Sequence, residues 1–94
     1  MTRKELEHTL IAMLRSYDAA RIGIFGSRSR GEARPESDLD VLVTFRSTKS
    51  LLTLVRIERE LSETLGVKVD LLTEAALSPH LRESIEADLR VIYQ

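Results

Sequence analysis

Apolar positions along the chain fall into segments of two periods. Leu6, Leu10, Met13, Leu14 and Tyr17 recur at steps of three and four, the mark of an amphipathic helix. Thr2 and Glu5 stand before them at capping-box spacing, so the helix is expected to start at Thr2 and end near Tyr17. Arg21-Ile22-Gly23-Ile24-Phe25 reads as a short strand closed by Gly26-Ser27. The segment from Arg28 to Ser37 is polar, rich in arginine and broken by Gly31 and Pro35, which predicts a loop opening on a helical turn. A second strand is expected from Asp38 through Thr44. Ser50 then caps a helix carrying Leu51, Leu54, Val55, Glu58, Leu61 and Leu65 at helical steps, with Gly66 as its C-terminal stop. Val67 to Leu72 reads as a third strand. Ser78-Pro79 opens a last helix expected to turn Leu81, Ile85 and Leu89 inward, and Val91-Ile92-Tyr93 adds a short edge strand.

This order predicts an α/β (α+β) fold: a small mixed β-sheet with helices mainly on one face, in a single domain over residues 1–94. Strands 1 and 2 are joined by a polar loop of about a dozen residues with no helical pattern, which favours an antiparallel or mixed sheet over a purely parallel one. Val69, Leu71, Leu54, Leu61 and Leu10 are the expected core.

Composition narrows the function. Of 94 residues, 43% are hydrophobic and 31% charged, and the formal net charge is -1, without the basic excess of a dedicated nucleic-acid binder. The absence of cysteine removes disulfides, thiolate zinc sites and cysteine nucleophiles. No apolar run is long enough to span a bilayer and the first residues lack a signal-peptide core, so a cytoplasmic protein is expected.

Three features carry chemistry. Asp38 and Asp40 sit two apart at the start of a strand, which places both carboxylates on one face. Such a pair repels itself unless a cation lies between, or it is simply a polar strand entrance. Asp70 lies between Val69 and Leu71, where a carboxylate needs a partner, a metal or a solvated face beside Lys68. If strand 3 lies beside strand 2, three acids share one place and suit two Mg²⁺ ions. Gly26-Ser27 follows strand 1; a glycine there would let backbone approach a phosphate and a following helical turn would aim N–H groups and a hydroxyl at it, although Gly-Ser alone is more simply an ordinary exposed turn. Arg28, Arg30 and Arg34 add cations, partly offset by Glu32 and Glu36.

The run from Gly26 to Asp40 resembles the signature of the DNA polymerase beta-like nucleotidyltransferases, Gly-Ser, ten residues, then Asp-x-Asp. It is most similar to the minimal nucleotidyltransferases, or MNT proteins, in its Arg28-Ser29-Arg30-Gly31, its Ser37-Asp38, and the Gly66-Val67-Lys68-Val69-Asp70 that matches the pattern of the third acid. The resemblance covers nearly the whole chain. It implies that Asp38, Asp40 and Asp70 are catalytic and hold Mg²⁺, with Asp70 assisting the incoming hydroxyl. It implies that Gly26, Ser27, Arg28, Arg30 and Ser37 bind the nucleotide, with ATP as substrate. It further implies an antitoxin that attaches AMP to a tyrosine of a helical HEPN ribonuclease toxin.

Two other functions compete with that one: a catalytically idle antitoxin that blocks its partner by covering it, and a nucleotidyltransferase for a small hydroxyl compound. Three acids in one cluster favour catalysis over covering, and the lack of a substrate-binding domain disfavours the small-molecule enzyme. His8 and His80 are expected in solvent, and Tyr17 and Tyr93 in packing. Arg3 and His8 show the Arg-x4-His spacing of HEPN ribonucleases by chance, because the strands exclude that all-helical fold.

Overall fold

The capping signals act where they stand in the chain. In the computed structural model, which describes residues 1–32, 34 and 37–94, α1 spans Arg3–Ser16. The Thr2 hydroxyl accepts from the Glu5 N–H (3.1 Å), and the Glu5 carboxylate accepts from the Thr2 N–H (3.0 Å). The Ser50 and Ser78 hydroxyls cap α2 (Leu51–Leu65) and α3 (Pro79–Glu86) by accepting from the Thr53 and Leu81 N–H groups, without the reciprocal carboxylate bond, and Gly66 closes α2 in the left-handed conformation.

Four strands form one mixed sheet in the order β3-β2-β1-β4: β1 is Ala19–Phe25, β2 Leu39–Phe45, β3 Val69–Thr73 and β4 Arg90–Tyr93. β1 pairs antiparallel with both β2 and β4, while β2 and β3 are parallel, joined through α2. The expected edge strand is therefore present. β1 begins two residues earlier than expected, since Ala19 pairs with Phe45 across a register irregularity. β3 begins two residues later: Val67 packs against the core without joining the ladder while the chain leaves α2.

Alternation along the strands separates two faces. Ile22 and Ile24, Leu39, Val41 and Val43, and Val69 are buried against Leu6, Leu10 and Leu14 of α1 and Ile57, Leu61 and Leu65 of α2. Leu54 is only half-buried, and Leu71 packs at the margin of this core. Leu51 and Val55, expected on the inward stripe, are 77% and 53% exposed. The first turns of α2 are apolar nearly all round, so periodicity alone leaves the phase open, and Ile57 is the residue that faces the sheet.

The opposite face carries Asp40, Leu42, Asp70 and Leu72. α3 and the segment after it cover part of this face: a Cβ added to Gly23 would lie 2.6 Å from a Leu89 methyl carbon. Leu89 thus packs inward, but not from a helix. α3 ends at Glu86, the chain turns into β4, and Leu89 reaches the sheet from that turn. Leu81, also expected inward, is 44% exposed, because a helix of two turns buries only Ile85.

β3 is held at its outer edge by α2. The Val69 N–H donates to the Ser62 hydroxyl (2.9 Å) and the Leu71 N–H to the Glu58 carboxylate (2.7 Å). These bonds bracket Asp70 and fix the strand that presents it.

Candidate active site

The parallel register of β2 and β3 sets Asp40 directly opposite Asp70, with Phe25 opposite Asp40 on the other side. Both acids are half-buried. The Asp40 carboxyl is held above the ordinary aspartate range, first by burial and then by the negative charge and hydrogen bond of Asp70. Asp38 adds to that push, and the Arg30 guanidinium opposes it. A dyad that resists being doubly charged has a standing deficit of positive charge.

Asp38 lies one residue before β2. It is exposed, and its Oδ2 stands 4.0 Å from the Lys68 ammonium. Among the described residues, no group of three or more His, Asp or Glu side chains is arranged to hold a metal ion. Asp40 and Asp70 therefore meet on adjacent strands, while Asp38, just before β2, is turned to Lys68.

Gly26 closes the site from the β1 side. Its φ is +76°, and a Cβ there would fall 2.2 Å from Asp40 Oδ2. Only a residue without a side chain lets the backbone lie against that carboxylate. The expected turn follows, with the Ser29 and Arg30 N–H groups donating to the Gly26 carbonyl (3.1 and 3.2 Å) and Glu32 N–H to the Ser27 carbonyl (3.0 Å). Ser27 is thus at the head of the turn, directly after Gly26.

The arginines part company. Arg30 lies close enough to bear on Asp40 and forms ion pairs with Asp88 (2.7 Å) and Glu32 (3.3 Å). Ser29 donates its hydroxyl to the Asp88 carbonyl, so Asp88 ties this turn to the end of α3. Arg28 points elsewhere: its Nε and Nη2 donate to the Ser37 carbonyl (3.2 and 2.8 Å). It lines a cavity with Arg3, Glu7 and Arg90 on the α1 side. Ser37 accepts from the Arg34 N–H through its hydroxyl (2.8 Å), so Arg28 and Ser37 brace the loop. Glu36, an expected offset to the arginines, lies outside the described residues.

Two residues next to the site do not stand out in the sequence as functional. Lys68 is visible there only as the residue two before Asp70 on the same strand face. Asp88 gives no signal, since its role depends on α3 ending where it does. His8 and His80 are exposed, as expected. Tyr17 and Tyr93 pack against the core, Tyr17 donating to Glu60 and Tyr93 lying under the Arg15 guanidinium.

Comparison with known proteins follows the same lines. A protein of Methanocaldococcus jannaschii, provisionally named a protein adenylyltransferase, is 42% identical over 85 residues, covering 90% of this chain and 91% of that protein. The protein adenylyltransferase MntA of Thermococcus cleftensis is 35% identical over 89 residues, 90% of each chain. A solved toxin–antitoxin complex with AMP-PNP contains a chain that superposes at a TM-score of 0.85, with 25% identity, over 93% of this chain and 72% of that one. A complex of a tri-AMPylated HEPN toxin of Shewanella oneidensis with MNT antitoxin gives 0.82 over 98% and 72%, and at 21% identity it speaks to the fold. The nucleotidyltransferase domain model matches residues 7–92. With that match, and with relatives this similar along nine-tenths of its length, the chain belongs to the nucleotidyltransferase domain family.

Proposed function

We propose that this protein transfers AMP from ATP to a tyrosine of a HEPN-type toxin and thereby acts as its antitoxin in the cytoplasm. The observation that carries this reading is the Asp40–Asp70 dyad with the Gly26 backbone seated against it. It combines a negatively charged, oxygen-rich site with a glycine turn whose backbone lies against it. The named adenylyltransferase relatives and the antitoxin complexes that share the fold support it.

The donor set fits Mg²⁺, since carboxylate oxygens are hard ligands, and burial followed by the neighbouring acids, which raise the proton affinity of Asp40, also favour a cation there. Asp40 and Asp70 would hold it, with Asp38 completing the set on leaving Lys68. When bound, the ion supplies charge neutralisation at the phosphates.

The chain's own groups do the rest. Gly26 and Ser27 receive the phosphates, with the Arg30 guanidinium beside them. Asp70 accepts the phenol proton on a carboxylate oxygen as the tyrosine oxygen attacks the α-phosphorus. The bond to the pyrophosphate oxygen breaks, and AMP remains on the tyrosine.

The test is co-expression with a HEPN toxin encoded beside this gene, scored by growth and by the toxin's intact mass. Wild type adds whole AMP units and restores growth. Asp40→Ala does neither at matched expression, because removing one electrostatic contact costs about a hundredfold or more in rate. Full rescue by Asp40→Ala without a mass shift overturns the enzymatic reading in favour of an antitoxin that acts by covering.

A further inference from the structure

Lys68 is not used by the activity proposed above, yet the sheet builds it into the site. The register that sets Asp40 opposite Asp70 sets Asp38 beside Lys68, and the Leu39 N–H donates to the Lys68 carbonyl (2.8 Å). Lys68 stands just before β3, and its ammonium reaches toward Asp38, which places it on the side of the acids. The Lys68 side chain is 71% exposed, and its ammonium meets Asp38 only at 4.0 Å. An ion pair at that range contributes little. The charge is free to meet another anion.

Strand order says which one. In β3-β2-β1-β4 the Gly26 turn follows β1, while Lys68 lies on the β3 side of the dyad. Neighbouring strands are ~4.8 Å apart, so about two strand spacings separate the backbone at Lys68 from the turn. Attacking and leaving oxygens stand on opposite sides of the phosphorus they exchange. A nucleotide whose phosphates rest on the Gly26 turn is therefore attacked from the β3 side.

We infer that Lys68 is an acceptor-specificity residue, whose ammonium engages a carboxylate flanking the hydroxyl that receives the nucleotide. This rests on the proposed transfer reaction for its orientation. It assigns the preferred acceptor a chemistry: a tyrosine in an acidic segment.

The test measures binding without turnover. Two fluorescein-labelled peptides of equal length carry one tyrosine flanked by glutamates or by lysines, and anisotropy is read against the full chain in Mg²⁺ without nucleotide. A fluorescent ATP analogue is titrated separately. Wild type binds the acidic peptide about three- to five-fold tighter, the size that exposed charge pairs give. Lys68→Met removes the preference, Lys68→Glu inverts it, and Lys68→Arg keeps it. Lys4→Glu, an exposed site on α1, makes the same charge change and leaves the preference alone. ATP-analogue affinity does not fall in Lys68→Met or Lys68→Arg, since neither change removes a group that the nucleotide touches and the methionine only releases Asp38. Wild type that binds the peptides equally or not at all, or Lys4→Glu that mimics Lys68→Glu, overturns the inference. So does a loss of ATP-analogue affinity in Lys68→Met, which would assign the lysine to the polyphosphate. Wild type that fails to bind the ATP analogue refutes the proposed function instead, and the peptide result is read independently of it.

Discussion

Replacing Gly26 with alanine tests the site at its tightest point. The residue has a φ of +76°, and its added Cβ would come 2.2 Å from Asp40 Oδ2. The left-handed conformation costs a residue with a Cβ roughly 1–2 kcal/mol. For a domain of this size each kcal/mol lowers the thermal midpoint by about 4–8 °C, so the backbone alone accounts for roughly 4–16 °C. The collision is a second and separate cost. Asp40 must swing from the position opposite Asp70, because the intruding atom is attached to backbone and cannot yield. Gly66 provides the control: its φ is +71°, and a Cβ added there would meet nothing within 4 Å. Gly66→Ala therefore carries the backbone cost without the collision. Differential scanning fluorimetry and calorimetric titration of ATP in Mg²⁺ separate the two. Gly26→Ala is expected to melt below Gly66→Ala and to lose at least about tenfold in ATP affinity, equivalent to about 1.4 kcal/mol. Gly66→Ala keeps wild-type affinity. Equal midpoints for the two variants, with ATP affinity unchanged in Gly26→Ala, would falsify the claim that this glycine is there for Asp40.

Core and charge make further claims. Leu61 is fully buried, so Leu61→Ala should lose about 2–5 kcal/mol in denaturant unfolding, whereas Leu51→Ala, at 77% exposed, should stay within about 0.5 kcal/mol. A similar loss in both would mean that α2 presents a different face. The Glu7 carboxyl is held below its ordinary value of 4.5, chiefly by Arg90 and then by Arg3, against the opposing effect of burial. Its charged form therefore stabilises the fold above about pH 4.5, and that contribution is lost as pH falls through the lowered value. The stability gap between wild type and Glu7→Gln should hold steady from neutrality to about pH 5 and close on further acidification. A gap that widens in acid contradicts the pairing.

The fold was legible wherever the signal was local. Thr2, Ser50, Ser78 and Gly66 each marked a helix end that depends only on neighbours in the chain. Strand period suggested one face for Asp38 and Asp40, but β2 starts at Leu39 and Asp38 pairs with Lys68 just before it. What could not be read depended on long-range choices. That β3 lies parallel beside β2, rather than elsewhere in the sheet, is decided by α2 docking across the face. Only then does Asp40 acquire Asp70 as its neighbour. The phase of α2 was obscured because Leu51, Leu52, Leu54 and Val55 offer apolar surface in every direction. Leu89 was expected inward and does pack inward, but that it does so from the turn after α3 and not from the helix depends on where α3 stops. Arg28 and Arg30 look alike in sequence, and only the course of the loop sends one to the Ser37 carbonyl and the other toward Asp40.

The crossover between β2 and β3 links ligand binding to the folded population. Asp40 and Asp70 belong to strands that α2 separates in the chain, so the pair exists only after the helix has docked and the parallel register has formed. An unfolded chain has no such pair to offer. A nucleotide held there binds the folded form alone, and mass action then raises stability by about 2.7 kcal/mol at a hundredfold excess over Kd. For so small a domain that is a large share of a total of about 5–15 kcal/mol. Its lifetime against proteolysis should therefore follow the ATP supply, with nucleotide-starved conditions leaving more of it open to cleavage.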